Sequence, residues 1–120
     1  MTSRDPHEAH EAKIRLKVQL GGTSIGPGKI KLLETVEREG SISSAARAMG
    51  MAYRRAWHLL NTLQETFDQP VMTTEMGGKA KGGATLTPFG KELVKHYRMA
   101  EEQADKNAQP LLKMLAKHSH

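Results

Sequence analysis

From Lys13 to Leu20 apolar and polar residues alternate, with Ile14, Leu16, Val18 and Leu20 set against Arg15, Lys17 and Gln19. A period of two predicts a half-buried strand with those four residues inward. Gly21-Gly22 suits a hairpin turn with positive φ, and Thr23-Ser24-Ile25 reads as a short return strand. Gly26-Pro27-Gly28 breaks the sheet. The period then lengthens. Ile30, Leu33 and Val36, with Leu32 beside them, predict a helix from Lys29 to Glu39, and Gly40 stands where a helix C-cap belongs.

The next stretch organises the chain. A short helix is expected from about Ser44, capped by the Ser43 hydroxyl. Its alanines, Ala45, Ala46 and Ala48, keep it slim enough for a second helix to cross closely. Gly50 offers a cheap positive φ at the corner, and Ala46 and Gly50 form the small pair of a helix-turn-helix. A second helix is expected from Ala52 to Phe67. On a helical wheel Ala56, Leu59, Leu60, Leu63 and Phe67 form the core face. Arg54, His58, Asn61 and Glu65 point away from it, with Tyr53 and Trp57 on one flank and Arg55 on the other. Such a face is often merely solvated. Following two helices and a tight corner, it fits the third, reading helix of a tri-helical DNA-binding core. Arg pairs with a guanine edge and Asn with an adenine edge through two hydrogen bonds each.

Asp68-Gln69-Pro70 stops that helix. Val71–Thr74 and Ala84–Leu86 read as the strands of a hairpin, with a tip rich in glycine that carries Lys79 and Lys81. This is a wing whose lysines can reach phosphates or a minor groove. The tip is not a Walker A loop, because Gly78-Lys79 is followed by alanine and then a strand. Two other readings stay open for it: a flexible solvent loop and an anion-binding nest. Thr87-Pro88 then starts a long helix, running toward Ala108. Phe89, Leu93, Tyr97, Ala100 and Ala104 recur near the coiled-coil period. Pro110 breaks or kinks it, and Leu111, Leu112, Met114 and Leu115 form a last apolar turn too distant to reach the wing domain's core. These positions predict dimerisation through Leu93, Tyr97, Ala100, Ala104, Leu111, Leu112 and Leu115.

Composition narrows the partners. The chain has 120 residues, a net charge of +5 and no cysteine. One domain with an appended helix is expected, together with a polyanionic partner. Disulfides, thiolate metal sites and cysteine nucleophiles are excluded. No signal peptide and no membrane span is read, so a cytoplasmic protein is expected. His7 and His10 lack a third ligand, and His118 and His120 read as a frayed end, so neither a metal nor a cofactor is expected. No nucleophile, base and acid come together, which argues against an enzyme. The organisation expected is a tail over 1–12, a winged helix-turn-helix over 13–86, and a dimerisation helix with its tail over 87–120. The fold class is mainly α with a small β component.

Five motifs in order carry a resemblance: Gly-Ser-Ile-Ser from Gly40 with Ala45-Ala46; Met49-Gly50-Met51; Tyr53-Arg54-Arg55-Ala56-Trp57; the glycine-rich tip from Gly77 to Gly83; and Leu86-Thr87-Pro88-Phe89-Gly90. Over Lys13 to Ala104 the chain resembles the DNA-binding domain of the ModE family of molybdate-responsive regulators, itself related to the LysR-type winged helix-turn-helix. The resemblance implies a dimer on a palindromic operator, paired through the last helix. It also implies that the helix from Ala52 enters the major groove, with Lys79 and Lys81 flanking it. This chain has Ala52 where the family commonly has a hydroxyl residue, which removes a phosphate contact and a helix cap. Family members that sense molybdate carry further oxyanion-binding domains, for which 120 residues leave no room. No molybdate site of that kind is therefore expected.

The reading is a homodimeric, sequence-specific regulator of double-stranded DNA, a repressor or accessory regulator linked to molybdenum-related genes. Tyr53, Arg54, Arg55, His58, Asn61, Lys79 and Lys81 make its contacts. The alternatives are an oxyanion sensor that uses the wing glycines, or a non-specific nucleic-acid binder.

Overall fold

The computed structural model describes residues 11–75 and 82–120. The element order is β1 (Val18–Leu20), β2 (Thr23–Ile25), α1 (Pro27–Glu39), α2 (Ile42–Ala48), α3 (Tyr53–Thr66), β3 (Met72–Thr74), β4 (Ala84–Leu86), α4 (Pro88–Asn107) and α5 (Gln109–Lys117). Two separate antiparallel hairpins, β1–β2 and β3–β4, flank the tri-helical unit α1–α3. The architecture is the winged helix-turn-helix that the sequence predicts.

The core is built on α1. Ile30, Leu32, Leu33 and Val36 are all fully buried, and α2, α3, β4 and α4 pack around them. Thr35 is buried too, and its hydroxyl donates to the Lys31 carbonyl at 2.7 Å, so no polar group is stranded. Pro27, expected as a sheet breaker, lies in the first turn of α1, where a missing N–H costs nothing. Gly40 caps the helix in the left-handed conformation, as expected.

The corner between α2 and α3 is a Schellman turn. Gly50 has φ +67°; its N–H bonds the Arg47 carbonyl at 3.1 Å, and the Met51 N–H bonds the Ala46 carbonyl at 2.9 Å. The positive φ requires the glycine. Space does not, since a Cβ at Gly50 would meet nothing within 4 Å, so only Ala46 of the expected small pair is small for packing. The cap of α2 also moves. Ser41, not Ser43, is the N-cap, and its hydroxyl accepts from the Ser44 N–H at 3.0 Å. The helix therefore begins two residues earlier than expected, which buries Ile42.

The strand expected over Lys13–Leu20 is reduced to Val18–Leu20, paired Val18↔Ile25, Gln19↔Ser24 and Leu20↔Thr23. The return strand is only three residues long, so residues 13–17 have no ladder partner. Val18 and Leu20, expected inward, are 44% exposed. Leu16 instead packs on the core as a single partly buried side chain.

The first half of α4 shares this core. Phe89, Leu93 and Val94 pack against it, and Tyr97 belongs to it. The Phe89 ring meets Phe67 edge-on at 5.2 Å, joining α4 to the end of α3. Gly90 is wedged against the Val71 carbonyl with no room for a Cβ. The last apolar turn is in fact a helix of nine residues, α5, because Pro110 falls in its first turn. It packs on α4 and stands outside the core cluster.

Candidate nucleic-acid interface

α3 is held from behind by Ala56, Leu60 and Leu63, all buried. Leu59 and Phe67, expected on the same face, are half-buried at its edge. The opposite face carries Arg54 and His58, with Arg55 on its flank, all exposed. Among the described residues neither guanidinium has an ion-pair or hydrogen-bond partner. Two cations in consecutive positions without carboxylate partners suit an external anion better than internal stability. The helix starts at Ala52 with no side-chain cap, so its first N–H groups are left without a side-chain acceptor.

Asn61 sits differently from its predicted neighbours. It is half-buried in a groove of about 190 Å³ between α3 and the wing root, beside Trp57, Gln64 and Thr74. The reason is angular: Tyr53, Trp57, Asn61 and Gln64 form one stripe that faces the wing. Tyr53 and Trp57 are 53% and 48% exposed at its open end. Lys79 and Lys81, expected at the wing tip, lie outside the described residues, as do His7 and His10. The hairpin that leads to the tip is present, paired Met72↔Leu86, Thr73↔Thr85 and Thr74↔Ala84.

Sequence reasoning missed the residues that fix this hairpin to the helices. The Gln64 side-chain carbonyl accepts from the N–H groups of Val71 at 2.8 Å and Met72 at 3.3 Å. The Glu37 carboxylate accepts from the Leu86 N–H at 2.8 Å, and the Thr87 hydroxyl donates to the Pro70 carbonyl at 2.7 Å. Ser41 bridges Gly83, and the Ala84 N–H bonds the Gly40 carbonyl at 2.8 Å. Each wing strand is thus tied to a helix, one to α3 and one to α1. Acceptors on solvent-side helical positions gave no periodic signal. The one clue was a glutamine six residues before a segment that begins with Pro70.

The expected dimerisation stripe splits in two. Tyr97 is 5% exposed and its hydroxyl donates to the Leu16 carbonyl at 2.6 Å, so it packs on its own chain. Leu93 packs on the same core. Burial raises the phenol's pKa, and the nearby Glu101 carboxylate adds to the rise. Beside it the Arg98 guanidinium spans Glu34 at 2.8 and 3.0 Å and Glu101 at 2.7 Å, which latches α4 to α1. Leu112 is also buried within the chain. Ala100, Leu111 and Leu115 remain exposed, with Met99 and Met114, and Ala104 is half-buried.

Among the described residues no group of His, Cys, Asp and Glu could hold a metal ion. No helix there is long and apolar enough to cross a membrane.

A tri-helical core, a winged hairpin and an α3 that exposes Arg54 and Arg55 define a class, the winged helix-turn-helix regulators. The family described as bacterial regulatory helix-turn-helix protein, lysR family, matches residues 28–91, and the chain belongs to it. Within that class the similarity runs to the ModE regulators. The chain is 38% identical over 80 residues to the molybdenum transport protein ModE of Azotobacter vinelandii, and 41% identical over 80 residues to the molybdenum-pterin-binding protein MopB of Rhodobacter capsulatus. It is 32% identical over 98 residues to the DNA-binding transcriptional dual regulator ModE of Escherichia coli (strain K12). These matches cover 67%, 67% and 75% of this chain and 30%, 30% and 37% of the relatives. The chain therefore spans about a third of the length of the curated relatives it matches.

Proposed function

We propose that the protein is a sequence-specific, DNA-binding transcriptional regulator of molybdenum-related genes, acting as a homodimer on a palindromic operator. One observation carries the reading: α3 exposes Arg54, Arg55 and His58, the two guanidinium groups without partners among the described residues, on a helix whose other face is locked into the α1 core. A helix so held enters a major groove as a rigid body, and its arginines meet guanine edges while Asn61 meets adenine. Lys79 and Lys81 add phosphate contacts that weaken with salt. The molybdenum link rests on the names of the similar proteins. The exposed Leu111, Met114 and Leu115 of α5 supply an apolar face for the second subunit.

Selection of bound sites from random duplex by the purified protein tests the reading. It should enrich an inverted repeat whose half-sites lie roughly 34 Å apart or a multiple of that. A pool that stays random overturns sequence-specific binding, and a single unrepeated site overturns the dimer. Calorimetry with molybdate, tungstate and sulfate addresses the oxyanion-sensor alternative, since heat of binding without DNA would favour it.

A further inference from the structure

We propose that Trp57 is a specificity-determining residue that reads the 5-methyl edge of a thymine in the major groove. The inference rests on the DNA-binding reading above and adds a base and a chemistry to it.

Trp57 is the only tryptophan of the chain and is 48% exposed. It stands outside the core cluster, with about half of its surface open to solvent. At about 100° per residue it lies about 60° from Arg54 and about 40° from Asn61 around α3, within the sector that meets base edges. Its ring forms one wall of a groove of about 280 Å³ between α3 and the wing root, with Ile42, Tyr53, Thr74, Glu75 and Gly83. The described lining of that groove carries one carboxylate and no cation.

Of the groups that bases show in the major groove, the thymine methyl is the apolar one, and it stands beside the O4 acceptor. An indole suits this edge, because its face can cover the methyl, or its single N–H, which lies in the ring plane, can donate to O4. Among the described residues that N–H has no hydrogen-bond partner. Cytosine offers an amino donor in place of O4 and has no methyl, so it satisfies neither requirement.

The test is a thymine-to-uracil scan, which removes only the methyl. Each thymine of the selected duplex is replaced in turn, and affinities are measured for the parent, Trp57→Phe, Trp57→Ala and Arg54→Ala. The parent should lose about four-fold at one thymine per half-site, the worth of one buried methyl. Trp57→Ala should bind thymine and uracil equally at that position, Trp57→Phe should keep part of the preference, and Arg54→Ala should keep all of it. Thermal melting of each variant establishes that the fold is retained. If Trp57→Ala does not fold, the parent's scan and the Phe variant decide. A parent indifferent to uracil everywhere, or a Trp57→Ala variant with the parental ratio, overturns the inference while leaving DNA binding intact. A parent that prefers no duplex overturns both.

Discussion

Gly90 is the most tightly constrained single position. It lies in the first turn of α4, and an added Cβ would overlap the Val71 carbonyl at the start of the wing. Helix propensity favours alanine over glycine by about 1 kcal/mol, but the clash is with backbone, which cannot swing aside. Gly90→Ala should therefore destabilise by about 1–3 kcal/mol, seen as a fall in Tm. A Tm at or above the parent's would show that the α4–wing contact is looser than described. In the sequence Gly90 was visible only as part of a motif. The clash arises across 19 positions of chain and has no local signature. Ser41 shows the opposite limit. Gly-Ser-Ile-Ser-Ser offers a hydroxyl at Ser41, Ser43 and Ser44, and local chemistry alone does not choose among them. The need to bury Ile42 decides for Ser41.

Among the elements, helices with two independent marks were the most legible. α4 has a hydroxyl cap and a proline at its start, and it begins as expected, with the Thr87 hydroxyl accepting from the Gly90 N–H at 3.0 Å. α3 shows its core face plainly in Ala56, Leu60 and Leu63. β1 was over-read because alternation specifies which faces a strand would have, not whether a partner strand exists to pair with it. The α4 stripe was ambiguous for a related reason. Leu93 and Tyr97 recur at the same spacing whether they pack on their own chain or on another. Tyr97 has a measurable consequence. Its pKa is raised above 10.0, so the fold favours the neutral phenol. That stabilisation is full below the ordinary phenol value and is lost as pH rises through the folded one. Tyr97→Phe should cost about 0.5–1.5 kcal/mol near neutrality through the lost bond to Leu16, and it should flatten the decline in stability above pH 10. A decline as steep in the variant as in the parent would place its origin elsewhere.

The molecule as a whole is elongated. Its radius of gyration is 17.8 Å, against about 14 Å for a compact chain of this length. Its last helix, α5, stands outside the core cluster and presents an apolar face. Leu111, Met114 and Leu115 are each about half exposed, and their spacing of three and four places them on one side. Substituting Leu111 and Leu115 with lysine should convert a dimer to a monomer in sedimentation equilibrium while leaving the melting of the wing domain unchanged. A variant that stays dimeric would move the subunit contact to another surface. In the proposed dimer this contact would set how the two α3 helices meet a duplex, and so the symmetry of the operator.

The central claim is that α3 reads bases, and the specificity ratio of Arg54→Ala tests it most directly. The ratio compares affinity for the selected duplex with affinity for random duplex, at one salt concentration. Loss of a bidentate contact removes about 1–3 kcal/mol of discrimination, so the ratio should fall roughly ten-fold while random-duplex binding stays near the parental level. Lys79→Ala should instead lower both affinities together. If Arg54→Ala also lowers both alike and leaves the ratio unchanged, α3 is not the reading element.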